Sequence, residues 1–294
     1  MKIRKAIFPV AGLGTRFLPV TKAIPKEMLP VLNKPLIQYA VEEARAAGIE
    51  EMLFINGRGK SAIEDYFDHA VEVENVLAQR GRGALVQEIT HFLSTPGRMA
   101  SVRQMHPRGL GHAVLCARAW VGTEPFAVIL PDDLMVADEP CLRQMVHRYQ
   151  PSHGNVAAIV QVPLAHVERY GILDPSRIEA NIVLAQGVVE KPKPETAPSQ
   201  WAIMGRYILC ADVFIFLEKQ ESGAGGEVQL TDTLAAMIPT HGLTGYQVEA
   251  TRFDCGSLEG MVAAQVACGL RDPAVSETLF KSLQDILDKV KSKR

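Results

Sequence analysis

Nearly continuous apolar runs at residues 6–10, 52–55, 126–130, 156–162 and 182–189 constrain this chain more than any other feature of it. A strand with one face in water alternates apolar and polar side chains, whereas a strand covered on both faces reads apolar throughout. The runs are bounded by the Pro, Gly, Asp and Asn residues that punctuate strands. Between the first two, Leu36, Ile37, Ala40, Val41 and Ala44 recur at helical spacing, with Pro35 near the start and Gly48 just past the end. The first 56 residues therefore read as strand, loop, helix, strand, a βαβ unit. The expected fold is α/β, a mostly parallel sheet with helices outside it.

A chain of 294 residues suffices for about two average domains or one large α/β domain with insertions. Residues 67–103, with acidic and basic patches around Gly81, Gly83 and Pro96-Gly97, read as a mobile insertion, and Pro192, Pro194 and Pro198 mark another surface loop. Near the C-terminus Leu279, Leu283, Ile286, Leu287 and Val290 describe an amphipathic helix ending in Lys289, Lys291, Lys293 and Arg294. Such a helix packs on its own subunit or on a neighbour's.

Charge narrows the partners. The formal net charge is only −2, which supplies no broad field for nucleic acid or a membrane surface, so neither is expected. A small polyanion would be met by a few placed cations. Cys116, Cys141, Cys210, Cys255 and Cys268 are odd in number and form no C-x-x-C pair, which points to free thiols in a reducing cytoplasm. The N-terminus has no signal-peptide pattern, and no run approaches the roughly 18 apolar residues of a membrane span.

Chemistry enters with the loop after the first run, Val10-Ala11-Gly12-Leu13-Gly14-Thr15-Arg16-Phe17-Leu18-Pro19, which continues through Thr21-Lys22-Ala23-Ile24-Pro25-Lys26-Glu27-Met28-Leu29-Pro30. Glycines there let backbone N–H groups approach phosphates closely. A dinucleotide fingerprint is excluded, because Phe17 occupies the third glycine position and Pro19 and Pro25 would break the helix that must follow. The G-K-S of Gly59-Lys60-Ser61 is not a P-loop either, since Phe54 stands where the first glycine is needed; Lys60 reads as a loop or helix-start cation. What remains is a proline-stiffened path carrying Arg16, Lys22 and Lys26. A unit charge pair a few ångströms apart is worth about 1 kcal/mol in water and about 4 kcal/mol in a partly shielded site, so such cations matter only inside a cleft.

The stretch from Ala11 to Pro30 resembles the nucleotide signature of bacterial UTP–glucose-1-phosphate uridylyltransferases, within the wider sugar-nucleotide pyrophosphorylase family. Further segments follow in the family's order: Arg103-Gln104 with Gly109-Leu110-Gly111-His112-Ala113, then Leu130-Pro131-Asp132-Asp133, Arg169-Tyr170-Gly171 and Val189-Glu190-Lys191-Pro192. Gly205-Arg206-Tyr207, Gly226-Glu227-Val228-Gln229-Leu230-Thr231-Asp232 and Phe253-Asp254-Cys255-Gly256-Ser257 complete the set. The resemblance runs from about residue 5 to 270. It implies a Rossmann-like sheet of the nucleotide-diphospho-sugar transferase type, as a single domain over residues 1–272, with a nucleotide-binding part (about 1–150), a sugar-binding part (about 151–272) and a C-terminal helix (273–294). It also implies a homodimer or homotetramer.

By that resemblance Ala11, Gly12, Gly14 and Thr15 sit at the nucleotide, with Gln104 and Gly109 on the uracil edge and His112 and Asp133 beside them. An amide suits that task, being both donor and acceptor. His112 reads as a positioning residue, since no second His or Cys lies at ligand spacing. Asp132 would hold Mg2+ with Asp254 as a second ligand, although an Asp-Asp pair alone is ordinarily a turn or helix cap, and Leu258 and Glu259 stand where many relatives carry a lysine after the serine. Gly171, Glu190, Lys191, Gly205 and Arg206 would receive the sugar phosphate; a Glu-Lys pair alone would be a surface pair.

The implied reaction joins UTP and glucose 1-phosphate into UDP-glucose and pyrophosphate. Its nucleophile is a phosphate oxygen, already anionic, so no general base is needed, and no Ser-His-Asp or Cys-His constellation is found. Arg16, Lys26, Asp132 and Lys191 are the candidate catalytic residues. Two rivals remain: another sugar pyrophosphorylase such as a thymidylyltransferase, and a non-catalytic relative that binds UDP-sugar. The second would be expected to lose Arg16, Lys26, Asp132 or Lys191, and all four are present.

Overall fold

The computed structural model describes residues 2–93, 96–221 and 226–292. The chain begins with β1 (Lys5–Pro9), a loop of three single-turn 3-10 helices, the small hairpin β2 (Pro30–Val31) and β3 (Lys34–Pro35), α1 (Leu36–Ala46) and β4 (Glu51–Asn56). Next come α2 (Ser61–Tyr66), α3 (Val71–Gln79), α4 (Gly83–Thr90), β5 (Met99–Arg103), α5 (Leu110–Leu115), α6 (Arg118–Val121), β6 (Phe126–Ile129) and β7 (Asp133–Val136). The second half runs α7 (Cys141–Arg148), β8 (Asn155–Gln161), β9 (Gly171–Glu179), β10 (Ile182–Glu190), β11 (Trp201–Leu209), α8 (Val213–Lys219) and α9 (Leu230–His241). It ends with β12 (Leu243–Gln247), β13 (Thr251–Asp254), α10 (Leu258–Arg271) and α11 (Ser276–Lys291).

Among the described residues one nine-stranded sheet, ordered β5-β4-β1-β6-β11-β8-β12-β10-β9, carries strands from both halves of the chain. Over β1, β4 and β6 both faces are covered, as their apolar runs require. Ile7, Leu53, Ile55 and Val128 enter one core with α5, α8 and α9 residues. Their neighbours Ala6, Phe8, Phe54 and Ile129 enter the other with Ile37, Val41 and Met145. Burying each large side chain contributes about 1.5–3 kcal/mol, so the alternating sides of β1 and β4 fix their register. In α1 the periodic residues Leu36, Ile37, Ala40, Val41 and Ala44 are all buried, and Gly48, at φ +83°, turns the chain out of the helix.

The sheet is mixed. It is parallel from β5 through β4 and β1 to β6, and again between β8 and β12. At the other junctions it is antiparallel. The run at 182–189 differs from its reading as a doubly covered strand: β10 forms an antiparallel hairpin with the edge strand β9, burying Val183, Ala185 and Val188 and exposing Leu184 and Val189. The stretch 67–103 differs too. It folds into α3 and α4 and then into β5, which pairs with β4 from Met52↔Met99 to Asn56↔Arg103. An edge strand need not be apolar on both faces, so Met-Ala-Ser-Val-Arg gave no strand signal.

Two features of this topology place the functional groups. β1 and β6 are parallel neighbours, so the loops that leave their carboxyl ends emerge side by side. The loop after β6 then turns into β7, which pairs antiparallel with β13 and sets Asp254 opposite Asp133. α11 forms where the amphipathic pattern requires and packs through Leu279 against Gly269 of α10, while Phe280, Ile286 and Leu287 are exposed. Lys293 and Arg294 lie outside the described residues. No helix among the described residues is long and apolar enough to cross a membrane.

α1 is tied to the sheet by a buried ion pair. Arg206 on β11 donates from Nη2 to Glu43 Oε2 at 2.8 Å and from Nε to Oε1 at 3.0 Å, and its Nη1 donates to the Leu130 carbonyl at 2.9 Å. Glu43 Oε1 also accepts from the Leu142 backbone N–H of α7 at 2.9 Å. With Arg206 only 1% and Glu43 8% exposed, removing one partner leaves the other charged and unsolvated. Glu43→Ala is expected to cost about 3–5 kcal/mol of stability, read from the urea midpoint of unfolding; a loss under 1 kcal/mol would contradict this assignment.

Candidate active site

Residues 10–29 leave β1 as a succession of tight turns rather than a helix, because Pro19 and Pro25 deny it the required N–H groups. Internal bonds brace it: Thr21 Oγ1 donates to the Gly14 carbonyl at 2.8 Å, and the Lys26 side chain lies along Gly12, with Cε 3.6 Å from where a Cβ would stand. Lys26 thereby reaches the end of β6, where its Nζ donates to Asp132 Oδ2 at 2.5 Å.

Burial alone would lower the Lys26 pKa, but Asp132 and then Glu27 outweigh it and raise the ammonium above its ordinary value. Burial would likewise raise Asp132, yet Lys26 holds the carboxyl below the usual carboxylate range. Both groups are therefore charged throughout the neutral range.

This pair stands where two cavities meet. One, of about 480 Å³, is lined by Ala11, Gly12, Gly14, Thr15, Gln104 and Gly109, together with Lys26 and Asp132. The other, of about 310 Å³, is lined by Arg16, Gly171, Glu190, Lys191, Gly205 and Asp254, together with Asp132. Leu110, Leu130 and Asp132 belong to both walls. Two ligands, one in each cavity, would thus meet beside a single carboxylate. Lys22 is exposed and lines neither cavity.

In the second cavity Glu190 is held from two sides: Thr231 Oγ1 donates to its Oε2 at 2.7 Å, and Lys191 Nζ lies 3.1 Å from its Oε1. Lys191 has φ +46°, a left-handed conformation that an L-residue adopts at some cost and that recurs at ligand-holding positions. Its backbone N–H donates to the Tyr170 carbonyl at 2.9 Å, fixing the turn after β10.

Two sequence expectations are corrected. Arg206 was expected at the sugar phosphate, but its guanidinium faces Glu43 on the far side of β11 and lines neither cavity; along a strand successive side chains alternate faces, so Gly205 and Tyr207 face the cavity and Arg206 turns away. Asp133 was expected at the nucleotide, yet its Oδ2 accepts from the Gly205 N–H at 2.8 Å and its Oδ1 pairs with Arg252. It lines the second cavity and not the first, and ties the wall to β11 and β13. His112 stands one step behind the cavity lining, where its Nδ1 is 2.9 Å from Gln104 Nε2.

Asp132 and Asp254 fit a hard divalent cation. A Cβ built on Gly256 would lie 3.0 Å from Asp254 Oδ1 and 3.2 Å from Asp132 Oδ2, so the two carboxylates look into one small space that only glycine leaves open. The β7–β13 ladder makes this meeting, and the Cys255 N–H, donating to the Asp132 carbonyl at 2.8 Å, pins it. Among the described residues no group of three or more His, Cys, Asp and Glu side chains is placed to hold a metal ion. Two carboxylates, with phosphate and water completing the shell, are the usual protein share for Mg2+, whereas a zinc site would need more.

Several side chains escaped the sequence reading. Lys60 does begin a helix, as its position suggested, but it is buried: its Nζ donates to Glu27 Oε2 at 2.7 Å, with Glu27 1% exposed. Burial pushes the Glu27 carboxyl up and the Lys60 ammonium down, each only partly offset by the other. Arg252, stacked 4.8 Å over the Tyr170 ring and donating to its hydroxyl at 2.7 Å, gave no signal at all. Thr231 and Tyr170 lie in family-like segments, and only their hydrogen bonds reveal their tasks.

Comparison with known proteins shows what the chain is similar to. A family model described as nucleotidyl transferase matches residues 5–268. The chain is similar to the UTP–glucose-1-phosphate uridylyltransferase of Bacillus subtilis, 43% identical over 288 residues that span 98% of each chain. It is 48% identical over 255 residues to that of Komagataeibacter xylinus, covering 87% of this chain and 90% of the relative. Among solved structures it resembles a UTP-bound UGPase from Acinetobacter baumannii, with TM-score 0.87 and 41% identity over 96% of this chain and 98% of that one. It also resembles a UDP-glucose pyrophosphorylase complexed with UDP-glucose, with TM-score 0.82 and 42% identity over 92% of this chain and 100% of that one.

Glu27 follows Lys26 in the chain, lines the first cavity with it, and is bound from within by Lys60. Lys60→Met is expected to destabilise the fold by about 3–5 kcal/mol by stranding Glu27, whereas Lys60→Met combined with Glu27→Leu recovers most of that loss. Equal denaturation midpoints for wild type and the single variant would remove the pair from the structural account.

Proposed function

The chain belongs to the nucleotidyl transferase family, and on that premise we propose that it transfers the uridylyl group of UTP to glucose 1-phosphate, giving UDP-glucose and pyrophosphate. The observation that carries this reading is the sharing of Asp132 between two cavities, with Lys26 bound to it at 2.5 Å. A nucleotide in the first cavity and a sugar phosphate in the second would bring their phosphates together at that wall.

The bond formed runs from a phosphate oxygen of glucose 1-phosphate to the α-phosphorus of UTP, and the bond broken is the α–β anhydride. The attacking oxygen is anionic at neutral pH, so no proton need be removed. The protein's task is alignment and charge, and alignment alone can supply roughly 7–11 kcal/mol of the barrier. Glu190 accepts from sugar hydroxyls and Lys191 holds the sugar-linked phosphate as a point charge. Arg16 and Lys26 steady the leaving pyrophosphate, and the raised pKa of Lys26 keeps it charged for that role. Asp132 and Asp254 would hold Mg2+, which when bound neutralises phosphate charge beside the reacting centre. Gly171 and Gly205 allow the sugar to approach the backbone, and Gln104 and Gly109 meet the base.

The direct test is pyrophosphate release from purified protein, Mg2+, UTP and glucose 1-phosphate, with dTTP at equal concentration as the comparison. Removal of the divalent ion with EDTA should abolish release, and added Mg2+ should restore it. Asp132→Asn and Lys26→Ala should each lower turnover by about 10²–10³-fold with the fold retained by circular dichroism. Near-normal activity in either would sink the assignment of that residue. Gly256→Ala, whose methyl group would enter the space between the two carboxylates, should raise the Mg2+ concentration needed for half-maximal activity about tenfold or more. An unchanged Mg2+ requirement would place the ion elsewhere.

A further inference from the structure

Gln104 is 6% exposed and lines the nucleotide cavity, yet its amide is already half committed to the protein. Its Nε2 donates to the Gly109 carbonyl at 3.2 Å and lies 2.9 Å from His112 Nδ1. With the ring proton on Nε2, Nδ1 accepts and both hydrogens of the primary amide are used. Turning the amide over would set Oε1 against the Gly109 carbonyl, acceptor facing acceptor, and in that tautomer against the Nδ1 lone pair as well. The nitrogen is therefore pinned away from the cavity, and the oxygen is what Gln104 has left for a ligand.

Resting on the uridylyl-transfer reading, we propose that His112 is a positioning residue for base choice: its Nδ1 lone pair holds the Gln104 amide nitrogen, so that the amide oxygen faces the base and accepts from the N3–H of a uracil. Uracil offers a donor at N3. Cytosine offers a lone pair there and would meet Oε1 acceptor to acceptor. Thymine shares the N3–H, so this hydrogen bond separates uracil from cytosine and does not separate it from thymine.

The arrangement requires a neutral ring with its proton on Nε2, because an imidazolium has no lone pair to offer. Burial, followed by the nearby Arg108 and His106, lowers the His112 pKa below its ordinary value and so favours the neutral ring, and the Gln104 amide nitrogen 2.9 Å from Nδ1 favours the tautomer with its proton on Nε2. Gly109 contributes in its own way. At φ +96°, with Val228 O only 2.8 Å from where a Cβ would stand, it holds a turn that other residues could not, and that turn aims its carbonyl at Gln104.

The experiment is calorimetric titration of UTP and of CTP, each with Mg2+, into the wild-type protein, His112→Phe and His112→Asn. His112→Phe keeps a ring and loses the acceptor; His112→Asn places an amide oxygen near the position of Nδ1. Expected are weaker UTP binding and about a tenfold fall in the UTP-over-CTP preference for His112→Phe, the effect of removing a single hydrogen bond. Preference returns in His112→Asn, and the loss in His112→Phe appears in the KM for UTP rather than in the KM for glucose 1-phosphate. An unchanged preference in folded His112→Phe, or a loss in folded His112→Asn as large as in His112→Phe, overturns the proposal. Should His112→Phe fail to fold, a thermal melt reveals it and His112→Asn alone decides, preference kept supporting the role and preference lost overturning it. Binding is read without turnover, so the two readings fail separately. Altered preference with no pyrophosphate release refutes uridylyl transfer and leaves His112 standing; turnover with an unchanged preference does the reverse.

Discussion

The ion pair between Lys26 and Asp132 is the interaction around which the site is arranged. It joins groups 106 residues apart, one on the loop that leaves β1 and one at the end of β6. Parallel neighbours in a sheet send those two loops out from the same edge, so the pairing follows from strand order more than from any local preference. A polyphosphate carries charge that must be gathered in a small volume, and a flexible cation in water gives little help with that. Proline-stiffened turns and an opposing carboxylate turn Lys26 into a fixed charge.

Further ion pairs stand behind this one, each joining elements that the chain brings in separately. Glu27 and Lys60 clamp the loop to the start of α2. Arg206 and Glu43 hold β11 to α1, and Arg252 and Asp133 lock β13 to the wall that carries Asp132. Buried pairs of this sort add little net stability compared with apolar packing, because desolvation offsets much of their attraction. Their contribution here is direction. Each fixes the angle of a strand end or turn whose next residue faces a cavity: Glu27 beside Lys26, Arg206 beside Gly205, Asp133 beside Asp132.

Much of the architecture is legible in the one-dimensional pattern, and its failures are instructive. The runs at 6–10, 52–55 and 126–130 become β1, β4 and β6, and the periodic stretch from Leu36 becomes α1 because burial of one stripe selects that helix. β5 and the hairpin of β9 and β10 were missed or misjudged, since strands near a sheet edge need not be apolar on both faces. At the site, residue type and motif order pointed to the lining groups, and Gly12, Gln104, Asp132, Glu190 and Lys191 do line the two cavities. Arg206 was misplaced for a simple reason: adjacency in a motif ignores strand alternation, which turns neighbouring side chains to opposite faces.

The amino-acid order by itself determined the fold class, the elements with strong periodicity, the absence of a dinucleotide fingerprint or P-loop, and the stock of cations and carboxylates available for a phosphate ligand. These are matters of local backbone chemistry and of how many apolar faces a segment must hide. Only the tertiary structure decided which charges meet. It made Lys60 a buried partner of Glu27, turned Arg206 to Glu43 across 163 residues, and set Asp254 beside Asp132 through the register of a two-stranded ladder. Electrostatic pairing depends on distances of a few ångströms, and those are fixed by strand order and register, which no local pattern encodes.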